Sequence, residues 1–327
     1  MTELAQAAYA AERRTDARSG VRDPKFHAYA RAFDSTRYLR ALRARGFSWL
    51  PRSDPEFPPL LAAIHDPPAG LFLRGSSRRE LLALPAAAVV GARACSPYGA
   101  QVARMLGREL ARAGLVVVSG LARGIDGEAH RGALEADGAT VAVLGCGIDR
   151  DYPAVHAQLA RQISAKGVVI SEYAPGVEPA PWRFPARNRI IAGLCPVTIV
   201  VEARERSGAL ITADFALEEG REVFACPGEI TSALSAGTNE LLRIGATPVT
   251  RSEDVLEHFG LEPRNAPPAE LSADAAAILE RVDSATTADE LTRCCEFDAA
   301  RVAVALSELE LAGLIGNADG VFRRTQA

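Results

Sequence analysis

Short, uninterrupted apolar runs alternate with segments of helical spacing between residues 85 and 260. The runs are Ala86–Val90, Leu115–Val118, Thr140–Leu144, Val168–Ile170, Val197–Val201, Val223–Ala225 and a weaker one at Thr247–Val249. Continuous apolar strands are typical of sheets buried on both faces, and regular alternation with helices predicts a doubly wound, mostly parallel α/β sheet. Such sheets bind ligands at the carboxyl ends of their strands, so the loops after the strands are the candidate functional segments.

Length and composition predict one large core with small appendages, because 327 residues exceed a typical single domain. No apolar stretch reaches the roughly 20 residues that span a bilayer, and the N-terminus lacks a signal-peptide pattern. We therefore expect a cytoplasmic protein without a membrane partner. The six cysteines form no CxxC pair, and no cofactor or metal is predicted. A net charge of −4 requires any nucleic-acid site to be local.

The loop after the first predicted strand has the features of an anion site. It reads GARACSPYG from Gly91, with Ser96 as a candidate helix N-cap and Pro97 at the first helical position. A glycine, a helix N-terminus and the charge of Arg93 favour a phosphate there. The GxGxxG fingerprint is absent, and the second strand ends in Ser119-Gly120 instead of a ribose-binding acid, which disfavours NAD.

The loop after the second strand, SGLARGIDG, offers a second anion-binding nest with Gly120 and Arg123, although its glycines are equally compatible with a simple turn. Asp126 and His130 lie four residues apart on one predicted helix face. This spacing suits two metal ligands, but no third ligand is evident, and such pairs more often brace a loop by hydrogen bonding.

The segment from Ser171 to Leu194 combines basic and aromatic side chains in what its prolines, Pro181 and Pro185, mark as a loop. Arginines neutralise phosphates and aromatic rings stack on any base, so this composition favours single-stranded nucleic acid. Two alternatives remain: an ordinary protein interface, and an inward-packed Phe184. The side chains that give the segment this composition are Trp182, Arg183, Phe184, Arg187, Asn188 and Arg189.

The ordered motifs of the chain resemble those of the DNA-processing protein A family (DprA, also called Smf). They are GARACSPYG, SGLARGIDGEAHRGAL, GCGIDRDYP, SEYAPG, FPARNRIIAGL, VVEARERSGALITADFALEEGREVFACPG and GTNELLRIGA, over roughly residues 55 to 250. The resemblance implies an extended Rossmann-like fold and a homodimer formed through it. It also implies that the protein binds and protects incoming single-stranded DNA and loads the recombinase RecA during natural transformation. By this resemblance, Arg93 and the loop residues Phe184, Arg187, Asn188 and Arg189 are the candidate DNA-contacting residues, because they match the family's DNA-facing pocket.

The predicted domains are a short N-terminal region at 1–50, a Rossmann-like DNA-binding domain at 51–260, a linker at 261–271 and a winged-helix-like domain at 272–327. Family members often begin with a helical domain of the sterile-alpha-motif type, and we expect that domain to be reduced or absent here. The linker is marked by its prolines. With 35 arginines and two lysines, any phosphate contact that relatives make through lysine passes to arginine.

The winged-helix prediction rests on helical spacing at Ala275–Val282, Ala288–Cys294 and Ala299–Leu311, followed by a turn at residues 317–320. The third helix carries Arg301 among the acids Asp298, Glu308 and Glu310. Because acids repel phosphate, we expect this domain to contact protein or to have an accessory role. Arg323 and Arg324 on the wing are the basic residues that argue for DNA contact instead.

An enzymatic alternative is a nucleotide phosphoribohydrolase of the lysine-decarboxylase-like type, built on the same kind of sheet. In it, Arg93 or Arg187 holds phosphate while Glu218 or Glu219 acts at the ribose. The PGGxGT loop of those enzymes is replaced by RSGALIT, and no nucleophile with a base partner is evident. A non-catalytic single-stranded DNA-binding protein is therefore the favoured hypothesis.

Overall fold

The computed structural model describes residues 2–13, 23–75, 79–263, 271–282, 286–295, 297–312, 314–318 and 320–324. The chain divides into two compact units, Met1–Arg264 and Asn265–Ala327. The partition predicted from the sequence, at 1–50, 51–260, 261–271 and 272–327, stays a prediction, and most of the predicted linker lies outside the described residues.

The first unit is built on a nine-stranded sheet with the order β1-β2-β6-β5-β4-β3-β7-β8-β9. Its strands are β1 Phe47–Pro51, β2 Gly70–Gly75, β3 Ala86–Val90, β4 Val116–Ser119, β5 Thr140–Leu144, β6 Val168–Ser171, β7 Val197–Val200, β8 Glu222–Ala225 and β9 Thr247–Pro248. From β6 to β9 every neighbouring pair is parallel. The mostly parallel, doubly wound α/β sheet is confirmed.

Helices connect these strands and cover both faces of the sheet. They are α1 Thr2–Arg13, α2 Phe26–Ala32, α3 Ser35–Ala44, α4 Pro59–Ala62, α5 Pro97–Arg112, α6 Ile125–Glu135, α7 Ala157–Lys166, α8 Arg183–Leu194, α9 Gly208–Glu218, α10 Ala236–Arg243 and α11 Glu253–His258. Alternate residues of β3 enter different cores: Ala88 packs on the side of α8 and α9, and Val89 packs on the side of α5 and α6. Burial on both faces explains the continuous apolar runs.

Two antiparallel strands, β1 at the edge and β2 next to it, extend the sheet beyond β6 and were not predicted from the sequence. β1 is only half-buried and lacks a continuous apolar run. Gly70 of β2 permits the pairing of β1 with β2, because a Cβ at position 70 would overlap the ring of Trp49 in β1. The described residues before β1 include the helices α1, α2 and α3, and the ring of Tyr9 on α1 contacts that of Tyr29 on α2 with centroids 4.9 Å apart.

The helix α8 corrects the prediction of a loop around Pro185. Proline is tolerated in the first helical turn, where its missing N–H has no intrahelical acceptor. Pro185 is the third residue of α8, so the helix forms through it.

The second unit contains α12 Ala273–Arg281, α13 Ala288–Cys295 and α14 Ala299–Leu311, with strands β10 Thr286–Thr287, β11 Ile315–Ala318 and β12 Val321–Arg324. The strands pair in the order β10-β12-β11. Ile278, Leu291, Val302 and Phe322 belong to its separate apolar core. Three helices and a β-hairpin confirm the winged-helix prediction. Across all the residues that the structure describes, no helix has both the length and the apolar character needed to cross a membrane.

Candidate nucleic-acid interface

A cleft of about 500 Å³ opens at the carboxyl ends of β3 and β7, where the strand order of the sheet reverses. Doubly wound sheets bind their ligands at this crevice. The described residues that line it include the arginines Arg93, Arg187, Arg204 and Arg206, with Asp126 as the one acid among them. The lining of this switch-point cleft is therefore positively charged.

Glu202, the second residue after β7, fixes the loop that carries Arg93. Its main-chain oxygen accepts a hydrogen bond from Ala92 N at 2.8 Å, and its Oε2 accepts one from Ser96 N at 2.9 Å. The Ser96 hydroxyl donates to Glu202 Oε1 and accepts from Gly99 N, so it caps α5 as predicted. A Cβ at Gly99 would overlap Glu202 Oε2. Ser96 thus organises the loop through contacts within the protein.

Arg187 is a buried arginine that lines the cleft, with 4% of its surface exposed. Its Nη1 donates to Gly120 O at 2.8 Å and to Val143 O. Gly120 is required by this packing, because a Cβ there would lie 2.5 Å from Arg187 Nη2. Burial lowers the pKa of Arg187 to about 10, so the guanidinium stays charged at neutral pH. It places a fixed positive charge beside the carboxyl ends of β4 and β5.

Asp126, in the first turn of α6, braces the loop after β4. Its Oδ2 accepts hydrogen bonds from Gly120 N at 3.1 Å and Ala122 N at 3.3 Å. Burial raises the pKa of Asp126, and the charge of Arg187 opposes that shift. His130 instead bonds Thr140 through Nδ1 at 2.7 Å. Both side chains of this pair are thus engaged in hydrogen bonds within the protein, and the described residues contain no cluster of three or more His, Cys, Asp and Glu suited to a metal.

Phe184, Tyr152 and Arg93 form an aromatic and cationic cluster in the cleft. The rings of Phe184 and Tyr152 are stacked with centroids 5.3 Å apart, and Arg93 Cζ lies 5.1 Å from the Phe184 centroid. Phe184 also touches the loop after β5, where a Cβ at Gly145 would come within 2.8 Å of its ring. Phe184 is half-buried, whereas Tyr152 is 40% exposed. The more accessible ring of this cluster therefore belongs to Tyr152, which was not predicted from the sequence.

Arg204 and Arg206 are further cleft residues that were not predicted from the sequence. Both are exposed, and among the described residues no carboxylate forms an ion pair with either of them. They precede the N-terminus of α9, where Ser207 Oγ accepts from Ala209 N at 3.1 Å. A helix N-terminus favours anions. Arg204 and Arg206 could have been predicted from the sequence, because they follow the strand Val197–Val200 and ligands bind at the carboxyl ends of such strands.

Asn188 connects two walls of the cleft, since its Nδ2 donates to Gly208 O at 2.9 Å. Arg123 lies on the exposed part of the loop after β4 and is not among the residues that line the cleft. The structure thus brings Arg93, Phe184, Arg187 and Asn188 together at the cleft and leaves Arg123 outside its lining.

Arg189 points away from the cleft, to the opposite side of α8. Its Nε donates to Asp66 at 3.2 Å and its Nη2 donates to Glu172 at 2.7 Å, and only 12% of the side chain is exposed. Two residues along a helix correspond to a rotation of about 200°, which separates Arg189 from Arg187. With two carboxylates already bound, Arg189 is poorly placed to hold a phosphate in the cleft.

The arginines and glutamates proposed for the phosphoribohydrolase alternative do not line the same cavity. Arg93 and Arg187 line the cleft, while Glu218 and Glu219 line a different cavity. Glu218 is the last residue of α9, and its ten-residue separation from Gly208 at the cleft corresponds to roughly 15 Å along a helix. The geometry therefore gives no support to that arrangement.

Family models and a sequence relative point to the same protein family. Residues 48–260 match the family model of DNA recombination-mediator protein A, and residues 262–320 match that of the DprA winged helix domain. The chain is 41% identical over 310 residues to a putative DNA processing protein DprA from Mycobacterium tuberculosis, covering 88% of this chain and 80% of the relative.

Solved structures of DNA processing protein A from two other bacteria are among those that resemble the chain. DNA processing protein A from Streptococcus pneumoniae superposes with a TM-score of 0.66 at 39% identity, over 81% of this chain and 94% of that one. DNA processing protein A from Helicobacter pylori, described for its single-stranded DNA binding mode, gives a TM-score of 0.59 at 32% identity, over 65% and 95% of the two chains.

Proposed function

The chain belongs to the DNA recombination-mediator protein A family, and from that premise we propose that it binds single-stranded DNA in the switch-point cleft. The observation that carries the proposal is the cleft lining itself. Arginines, a helix N-terminus and an accessible aromatic ring occupy one crevice at the ligand-binding edge of the sheet. The single-stranded DNA binding described for the Helicobacter pylori relative supports the same ligand class.

In this proposal, Arg93, Arg204 and Arg206 neutralise phosphates of the strand. All three are exposed at the cleft, so they can follow a flexible backbone without reading its sequence. Buried Arg187 supplies a fixed charge and the N–H groups at the start of α9 supply further donors. Arg123 extends the basic surface next to the cleft, and Asn188 and Ser96 hold its walls.

The aromatic cluster favours single strands over duplex DNA. An unpaired base stacks on an exposed ring, whereas a base in a duplex has both faces covered by its neighbours. Tyr152 presents the more accessible ring, and Phe184 supports it from beneath by stacking. We assign base stacking to Tyr152 and its support to Phe184.

The finer parts of the proposal rest on family membership. We propose a non-catalytic, cytoplasmic mediator that protects incoming single strands and loads RecA onto them during natural transformation. A homodimer formed through the first unit belongs to the same proposal.

The test compares Tyr152→Leu with Tyr152→Phe in equilibrium binding to single-stranded and duplex oligonucleotides. Loss of the ring in Tyr152→Leu is expected to cost about 1–3 kcal/mol of single-strand binding, and Tyr152→Phe is expected to retain most of it. Duplex binding should be weaker in the unmodified protein and unaffected by either change. Equal affinity for both kinds of DNA, or a Tyr152→Leu protein that binds single strands normally, contradicts the proposal.

A further inference from the structure

A second cavity of about 530 Å³ lies on the other side of α8, within the first unit. α8 separates the two spaces: Arg187 lines the switch-point cleft, and Ala186 and Arg189 line the second cavity. Its volume is in the range of about 300–1,000 Å³ that is typical of small-molecule sites. We refer to it as the acidic cavity, and the proposed DNA binding does not use it.

The walls of the acidic cavity are largely apolar and aromatic. They include Ala7 and Ala10 of α1, Tyr173 after β6, Trp182 before α8 and Phe215 of α9. The ring of Trp182 is 47% exposed, although the Arg183 guanidinium lies 4.6 Å from its centroid. Such a lining suits a ligand with an apolar body.

The charges in this cavity are predominantly negative. Asp66 and Glu172 are both bound to Arg189, which neutralises part of their charge. Glu219 Oε1 accepts only a neutral main-chain N–H, from His65 at 2.8 Å, and Glu218 has no partner among the described residues. Four carboxylates thus face one guanidinium in the lining, and the surplus negative charge is at Glu218 and Glu219.

The position of this pair at the end of α9 adds to the negative potential. Glu218 is the last residue of α9 and Glu219 is its C-cap, where the helix dipole leaves about half a negative charge. The opposite end of the same helix opens into the switch-point cleft. One helix therefore favours an anion at its N-terminus and a cation at its C-terminus.

We propose that the acidic cavity binds a small organic cation, an ammonium or guanidinium group carried on an apolar body. The cationic group pairs with Glu218 and Glu219, and the apolar body packs among Phe215, Tyr173 and Trp182. Anions, including nucleotides, are repelled by the same carboxylates.

The experiment uses three probes of one shape in calorimetry and tryptophan fluorescence: phenethylammonium, uncharged 2-phenylethanol and anionic 3-phenylpropionate. The cation is expected to bind at least tenfold more tightly than the alcohol, and the anion is expected not to bind. The chain has two tryptophans, so Trp182→Phe identifies which indole reports binding. A blocked peptide with arginine between two leucines forms a further arm, which distinguishes a peptide-borne cation from a free amine.

The double variant Glu218→Gln, Glu219→Gln is expected to lose at least tenfold in affinity for the cation. Asp214→Asn is the matched control, because Asp214 is an exposed acid of α9 that does not line the cavity. Equal binding of the alcohol and the cation, or unchanged binding by the double variant, overturns the proposal. Single-stranded DNA affinity, measured on the same samples, is expected to stay unchanged, so failure here is distinct from failure of DNA binding.

Discussion

At the scale of single residues, His130 ties the stability of the first unit to pH. The imidazole is fully buried in α6. The Thr140 hydroxyl donates to Val117 O at 2.6 Å, so it accepts from Nδ1–H of His130. His130 Nε2 is buried and has no hydrogen-bond partner among the described residues. A proton on Nε2 would therefore be buried without an acceptor, and burial lowers the pKa of His130 to about 3.

This shift predicts a loss of stability in mild acid. In the unfolded chain the histidine takes up a proton below about pH 6.5, whereas the folded chain does so only near its lowered pKa. The unfolded state then binds more protons, and the free energy of unfolding falls as the pH drops. The expected loss from His130 between pH 7 and pH 5 is about 2 kcal/mol. Urea unfolding at both pH values measures it.

His130→Asn removes the titrating group and should flatten this part of the pH dependence. His27→Gln serves as the control, because His27 is an exposed histidine of α2. If His130→Asn and the control retain the same acid sensitivity as the unmodified protein, the burial argument is wrong.

At the level of secondary-structure elements, the sequence predicts only part of the surroundings of α8. Phe184, Arg187 and Asn188, which the basic and aromatic composition singled out, line the switch-point cleft, and their contact with DNA stays a prediction. The prolines suggested a loop, in which neighbouring residues share one environment. A helix instead distributes them by its period of 3.6, so Arg187 and Arg189 face different cavities.

The strands show the same division between what the sequence predicts and what it does not. The parallel strands were predictable because burial on both faces leaves continuous apolar runs. The antiparallel strands β1 and β2 were not predictable in this way, because β1 is only half-buried. The pairing of β1 with β2 also depends on contacts such as that of Trp49 with Gly70. Arg204 and Arg206 were within reach, because the position of a residue after a strand end can be read from the sequence. That the Tyr152 ring is more accessible than the Phe184 ring could not be predicted, because it depends on how Phe184 packs in the folded protein.

At the scale of the whole molecule, the proposed DNA binding belongs to the first unit. The second unit presents little free positive charge from its third helix, because Arg301 is bound to Asp274 at 2.5 Å. Arg324 on the wing donates to Leu279 O at 2.6 Å. The net charge of −4 also disfavours general attraction to DNA, so binding depends on the local cleft.

A protein truncated after Pro263 is therefore expected to keep its single-strand affinity within about threefold, because the cleft lies wholly within the part that remains. Fluorescence anisotropy with a labelled oligonucleotide measures this, and thermal unfolding checks that the truncated protein is folded. A tenfold or greater loss, about 1.4 kcal/mol, in a folded truncation would place the principal DNA site elsewhere.

The salt dependence of single-strand affinity tests whether the cleft arginines hold the DNA backbone. Log affinity should fall linearly with log salt, and Arg93→Gln and Arg206→Gln should each make the slope shallower by about 0.7, the value for one phosphate contact. Arg161→Gln, an exposed arginine of α7 outside the cleft lining, should leave the slope unchanged. If the cleft variants retain the slope of the unmodified protein, or the Arg161 variant changes it as much as they do, the strand does not lie in this cleft.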